Sequence, residues 1–225
     1  VRSENGQHRH QALTDLCREY WKPLYAFSRR LGYSMHDAED LTQGFFAYLL
    51  ERRVLETANR DMGTLRTFLL KVYQRYMNDV RDREQAQKRG GGVQVFSLNV
   101  EEGEHLYLAD LAGKHTPESH YDHAWAQSVL RGALRHLGVQ EEEAGRGKLF
   151  AELEPHLNPD SDAEADYAKA TVTLGMNAES LRQAVSRLRR KFRDCLRERI
   201  AATLQDPDDA RIDTELHALR AALRS

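Results

Sequence analysis

The sequence predicts an all-α chain: two small helical domains joined by a flexible linker. Three observations carry this. Apolar residues recur at helical spacing along most of the 225 residues. Two strongly basic segments with that spacing, Thr64 to Arg83 and Asn177 to Arg199, lie far apart. Between them Lys88-Arg89-Gly90-Gly91-Gly92 ends any helix, because three consecutive glycines carry too much backbone freedom. A chain of this length has room for two such domains.

A first helix is predicted over His10 to Leu31, with Leu13, Leu16, Cys17, Tyr20, Leu24 and Phe27 on one side. Pro23 is predicted to kink or split it, and Gly32 to close it. Ser34 is placed to cap the next helix, whose early Asp37, Glu39 and Asp40 suit the positive end of its dipole. That helix turns Ala38, Leu41, Phe45, Tyr48 and Leu49 inward. A loop around Asn59 to Gly63 leads into the first basic helix, with Leu65, Phe68, Leu69, Val72 and Tyr76 as its apolar stripe. The linker follows, with a short turn or strand expected at Val93 to Asn99.

The second block opens near Pro117 with a helix over Glu118 to Leu137, apolar at Ala124, Trp125, Val129, Ala133, Leu134 and Leu137. A further helix is expected over Gly147 to Leu157, before the turn Asn158-Pro159-Asp160. Next come a helix from Asp162 to Leu174, a turn at Gly175, and the second basic helix. Asn177 is its N-cap, and Leu181, Ala184, Val185, Leu188 and Phe192 face inward. A helix, a tight turn and a helix form the helix-turn-helix arrangement, whose second member enters the DNA major groove. After Pro207, Ile212, Leu216, Leu219 and Leu223 share one face of a tail helix, expected to dock on the chain's own C-terminal block. The organisation is therefore 10–89, a linker 90–117, a second domain 118–204, and a tail 205–225.

The formal net charge of -2 conceals an uneven distribution. Arg60, Arg66, Lys71, Arg75, Arg81, Arg83, Lys88 and Arg89 crowd the first basic segment, and Arg182, Arg187, Arg189, Arg190, Lys191, Arg193, Arg197 and Arg199 the second. The stretch from Glu101 to Asp166 is acidic. Local patches rather than totals set the field that a polyanion meets. Each basic helix buries one face and leaves cations and amides on the other, a composition that can pair with phosphates and reach base edges.

Other classes find little support. The chain is 40% hydrophobic and 30% charged, with no apolar run near the roughly 20 residues that span a bilayer. The polar opening VRSENGQHRHQ does not read as a secretory signal, and a cytoplasmic location is expected. The two cysteines, Cys17 and Cys195, are too few and too isolated for a disulfide framework or a zinc site and read as buried inert thiols. His115, His120 and His123 read as exposed and unliganded, and Glu141-Glu142-Glu143 as a solvated acidic run. The glycine run lacks the Lys-Ser/Thr of a phosphate-binding loop. No catalytic residue, metal or cofactor is expected, and the chain reads as a non-enzyme.

The segment from Met35 to Arg52, MHDAEDLTQGFFAYLLER, followed by the basic segment from Gly63 to Arg89, resembles region two of the extracytoplasmic-function sigma factors of bacterial RNA polymerase. Asp166 to Glu198 resembles their region four. Order, spacing and linker agree, and the resemblance covers roughly Leu13 to Leu204. It implies a transcription initiation factor that binds core polymerase and directs it to promoters, assisting DNA opening. Asp37, Glu39, Asp40 and Gln43 would dock on the clamp helices of the largest polymerase subunit. Lys71, Gln74, Arg75 and Asn78, with Tyr73 as a stacking ring, would capture the minus-ten element as its strands part. Arg182, Gln183, Ser186, Arg187 and Arg190 would read the minus-thirty-five element as duplex. An anti-sigma or other regulatory protein is a further possible partner. Gly44 stands where this family carries an acidic residue. Two other readings stay open: a stand-alone helix-turn-helix regulator, and a helical interaction protein with no nucleic-acid role.

Overall fold

The computed structural model describes residues 2–52, 54–57, 64–86, 103–104, 107, 116–157, 170–204 and 206–224, with side chains left out at 2–13, 15, 56–57 and 84–86. The expected turn or strand at 93–99, most of the helix expected from Asp162, and His115 lie outside them. Every described element is a helix or a 3-10 turn, so the fold is all-α there. We number the helices α1 (Arg2–Arg30), α2 (Met35–Glu51), α3 (Leu65–Ala86), α4 (Pro117–Glu143), α5 (Gly147–Leu153), α6 (Ala178–Ala201) and α7 (Asp209–Arg224). Val54–Thr57 and Glu154–Leu157 are 3-10 turns, and residues 170–174 are helical. The chain divides into two compact units, Val1–Ser128 with Thr203–Ser225, and Val129–Ala202. The division falls inside α4.

Most helix starts follow from single side chains. Ser34 accepts from the Asp37 amide, Thr64 from Thr67, Thr116 from Ser119, Asn177 from Ser180 and Asp208 from Arg211. Each satisfies an amide that the helix itself cannot, worth about 1 kcal/mol per cap. Two helical stretches, α1 and 170–174, end at glycines of positive φ, Gly32 (94°) and Gly175 (62°). In both the next residue donates back to the carbonyl five positions earlier, Tyr33 to Ser28 and Met176 to Thr171. That closure needs a left-handed residue, which glycine adopts without strain. α1 begins at Arg2, ahead of the expected His10, and continues through Pro23. The burial of Tyr20, Trp21, Leu24 and Tyr25 around that proline offsets the lost backbone hydrogen bond.

In the first unit α1 packs on α2, and α2 on α3. Their shared core is aromatic. Tyr73 of α3 lies between Phe45 (4.8 Å between ring centroids) and Phe27 (6.3 Å). Its hydroxyl is 2.6 Å from Ser28 Oγ on α1 and 3.1 Å from Thr42 Oγ1 on α2, so one buried oxygen joins three helices. Gly44 has its reason here: a Cβ would overlap the Tyr76 hydroxyl of α3. Part of the expected linker also packs on this unit. Glu104 receives two hydrogen bonds from the Arg29 guanidinium (2.9 and 2.7 Å) and one from the Tyr25 hydroxyl (2.6 Å), and Arg29 lies over the Tyr107 ring. The Arg29 cation beside it holds the Glu104 carboxyl below its ordinary range.

The tail belongs to this unit as well. The sequence places α7 against the C-terminal block; its described contacts are instead Arg66 of α3 and His123 in the first half of α4. Arg66 pairs closely with Asp122, stands 3.7 Å from Glu215, and stacks on Trp125. His123 Nδ1 lies 2.9 Å from the Ala222 carbonyl. The face that α7 buries is centred on Glu215, Leu219 and Ala222, with Ile212, Leu216 and Leu223 half-buried beside it.

In the second unit Ala133, Leu137, Phe150, Leu153, Leu181, Ala184, Val185, Leu188, Leu196 and Ile200 form the core. Two polar contacts fix α6 within it. Arg189 donates twice to the His156 carbonyl (3.2 and 2.8 Å). Glu141 receives Arg146 at 2.6 and 3.2 Å and also pairs with Lys191. Glu141 is buried, contrary to the solvated run expected there, because α4 continues to Glu143 and carries that carboxylate under α6. His120 and His123 are likewise not exposed: His120 is buried edge-on to Tyr107, and His123 is held by Ala222 and Gln127.

Candidate nucleic-acid interface

Two helix faces carry the candidate chemistry, one in each unit. On α3 the inward positions are Phe68, Leu69, Val72, Tyr73 and Met77. Helical geometry therefore turns Lys71, Arg75 and Asn78 out to solvent, with Gln74 at the margin, its amide 3.5 Å from Glu118. These four polar residues form one continuous patch, 71, 74, 75 and 78 being neighbours at helical spacing. Neither Lys71 nor Arg75 has an ion-pair partner among the described residues. Among the described residues no ion pair would have to break for their heads to meet an anion.

Tyr73 leaves this set. Its ring is fully buried and its hydroxyl is satisfied by Ser28 and Thr42, so no base can stack on it. Tyr73 lies four residues after Leu69, on the ridge that packs into α1 and α2, and the inward stripe is one residue wider than the spacing of Leu65, Phe68, Leu69, Val72 and Tyr76 suggests. Gln43 leaves the docking set for a similar reason. It is 5% exposed on the inward side of α2, its amide donating to Glu39 at 2.9 Å. Asp37 and Asp40 are exposed and Glu39 half-exposed, so the acidic start of α2 remains accessible without it. Asp37 accepts from the Ser34 hydroxyl and Asp40 stands 3.7 Å from His36.

On α6 the inward stripe of Leu181, Ala184, Val185, Leu188, Cys195, Leu196 and Ile200 leaves Arg182, Gln183, Ser186, Arg187, Arg190 and Arg193 exposed. The basic residues of this helix thus divide by role. Arg189 and Lys191 are committed to His156 and Glu141, inside the unit. Arg187, Arg190 and Arg193 make no ion pair among the described residues. Arg182 pairs with Glu179 at 3.0 Å, and Gln183 donates to the same carboxylate at 3.3 Å. Glu179 therefore competes with any phosphate or base edge for the first turn of the face. Helical spacing already sets Arg190 outward with Arg182, Gln183, Ser186 and Arg187; what another element decides is the partner of Arg189, a carbonyl of the 3-10 turn Glu154–Leu157.

The exposed faces present guanidinium, ammonium, amide and hydroxyl groups, which are phosphate and base-edge partners. Comparison with known protein families, curated proteins and solved structures returns no match. Among the described residues no helix is long and apolar enough to cross a membrane.

Proposed function

We propose that this chain is a promoter-recognition subunit of bacterial RNA polymerase, similar to the extracytoplasmic-function sigma factors. Region-two work falls to the first unit and region-four work to the second. The observation that supports it most is the pair of outward cationic faces, each on a helix whose other side is buried: Lys71, Gln74, Arg75 and Asn78 on α3, and Arg182, Gln183, Ser186, Arg187 and Arg190 on α6. The first would track the backbone of the minus-ten element as its strands part; the second would read the minus-thirty-five element in the major groove. Asp37, Glu39 and Asp40 would meet cationic side chains of core polymerase. No catalytic residue or cofactor enters this reading, and the location is cytoplasmic.

The test is run-off transcription with purified core polymerase on the chain's own upstream region, paired with co-purification of the chain with core enzyme. The expected results are a stable complex and a defined transcript, with Asp40→Arg weakening core binding while duplex binding is kept. Duplex binding without any association with core enzyme would assign the chain to stand-alone regulation. Absence of both activities would leave a helical interaction protein.

A further inference from the structure

In the second unit, His136 of α4 and Cys195 and Glu198 of α6 bring one imidazole nitrogen, one sulfur and one carboxylate oxygen within 4.8 Å of one another. Nothing in the proposed promoter contacts uses them. We propose that these three side chains form a zinc site that joins the second half of α4 to the second half of α6.

The donor set is the first argument. A thiolate with an imidazole selects a borderline or soft ion, whereas magnesium and calcium prefer oxygen throughout. Three protein ligands of mixed N, S and O type leave the fourth tetrahedral position of zinc to water. The second argument is how the donors are held. Cys195 is buried and fixed by the core, while His136 and Glu198 stand at the surface with room to rotate. Zinc bonds run about 2.0–2.3 Å, so a small closing of the two exposed side chains onto the fixed sulfur completes the site.

Gln140 supplies the third argument. Its amide nitrogen is 3.0 Å from His136 Nε2, and its carbonyl oxygen is 3.6 Å from Cys195 Sγ. When the amide donates to Nε2, the histidine proton resides on Nδ1 and the Nε2 lone pair is turned to Gln140. When the thiol donates to the amide oxygen, the sulfur faces it too. The glutamine thus engages both ligand atoms, and a metal ion would take over both interactions. The nearby cation on the same helix does not oppose an incoming one, since Lys191, one turn before Cys195, is paired with Glu141. On binding, the Cys195 thiol gives up its proton to solvent and the sulfur becomes the ligand.

Sequence reading assigned Cys195 to an inert core because its partner His136 lies on another helix, outside any recognisable short spacing. Cobalt(II) titration of the full reduced chain tests the site. A thiolate-to-cobalt charge-transfer band should grow to one equivalent and be erased by one equivalent of zinc. Cys17→Ser should keep the band and Cys195→Ser should lose it. His136→Ala removes an exposed side chain, so its fold is safe, and it should weaken zinc affinity by more than the roughly 10–100-fold that loss of an outer-shell partner costs, read in a chelator competition. No charge-transfer band in the wild type, a band that survives Cys195→Ser, or unchanged zinc affinity in His136→Ala would each overturn the proposal. The titration reads metal alone, so its outcome is independent of whether the chain binds polymerase.

Discussion

A buried hydroxyl that joins three helices and a glycine beneath a tyrosine show how finely the first unit depends on single atoms. Tyr73→Phe keeps the ring between Phe27 and Phe45 but removes the oxygen 2.6 Å from Ser28 and 3.1 Å from Thr42. Ser28 and Thr42 each retain a bond to the carbonyl four residues back, Leu24 and Ala38. The expected loss is therefore about 1 kcal/mol, near the net worth of one hydrogen bond rather than the cost of an orphaned pair. Chemical denaturation measures it. Lys71→Ala with Arg75→Ala should leave that stability unchanged while impairing promoter opening, because both side chains stand off the core. Gly44 gives a sharper test. An alanine there gains about 1 kcal/mol of helix propensity, but its Cβ meets the Tyr76 hydroxyl. In a Tyr76→Phe background the overlap disappears, so Gly44→Ala should stabilise that variant by about 1 kcal/mol and the wild type by less, the difference being the cost of the overlap. Equal effects in the two backgrounds would mean Tyr76 moves aside freely.

At the scale of elements, the proposed role of α6 predicts that specificity and affinity separate along its exposed face. Arg187 and Arg190 are both exposed and without a described ion pair, on successive turns after Gln183. A guanidinium bidentate to guanine contributes about 1–3 kcal/mol of discrimination, while a phosphate contact strengthens all sequences alike. Arg187→Ala is expected to change preference at the upstream element, and Arg190→Ala to lower affinity generally and flatten its salt dependence. Competition binding across a promoter library distinguishes them. Glu179→Gln should raise affinity for any duplex, since it releases Arg182 and Gln183 from a carboxylate at the start of the face. The helices themselves were legible in the sequence because their determinants are local: a capping side chain at Ser34 or Asn177, a glycine at 32 or 175, a stripe of Leu and Val. What escaped was decided across elements. Tyr73 and Gln43 turn inward because the facing helices leave room for them, and Glu141 is buried because Lys191 and Arg146 arrive from outside its own helix. A spacing rule sees one helix at a time, so it marks the outward face well and the margins of that face poorly.

For the molecule as a whole, three of the described carboxylates, one of them in the tail, have shifted pKa values that tie stability to pH. α7 closes the first unit through Leu219, Ala222, the Arg66–Glu215 approach and the His123–Ala222 contact. Truncation after Gln205 gives up the burial of Leu219 and Ala222, about 2–3 kcal/mol of apolar stabilisation, and should lower the melting temperature. Glu215 has a further role. Its burial raises its pKa, Arg66 only partly opposing this because that guanidinium makes its closest contact with Asp122. A carboxyl whose folded pKa is raised contributes stability that is full below its ordinary value and is lost as pH rises through the folded value. Glu104 and Glu141 behave oppositely. Hydrogen bonds from Arg29 to Glu104 and from Arg146 to Glu141 lower both pKa values, so their contribution is full above the ordinary value and is lost as pH falls through the folded one. Glu215→Gln, a neutral isostere, should therefore raise the melting temperature at pH 7 and show no advantage once the wild-type acid is protonated. Glu141→Gln should lower it at pH 7 and converge with wild type in acid. Melting curves from about pH 3 to 8 follow both variants across the carboxylate range. If Glu215→Gln lowered stability at pH 7, the Arg66 contact would outweigh burial at this site, and the tail would be held by an ion pair rather than in spite of a charge.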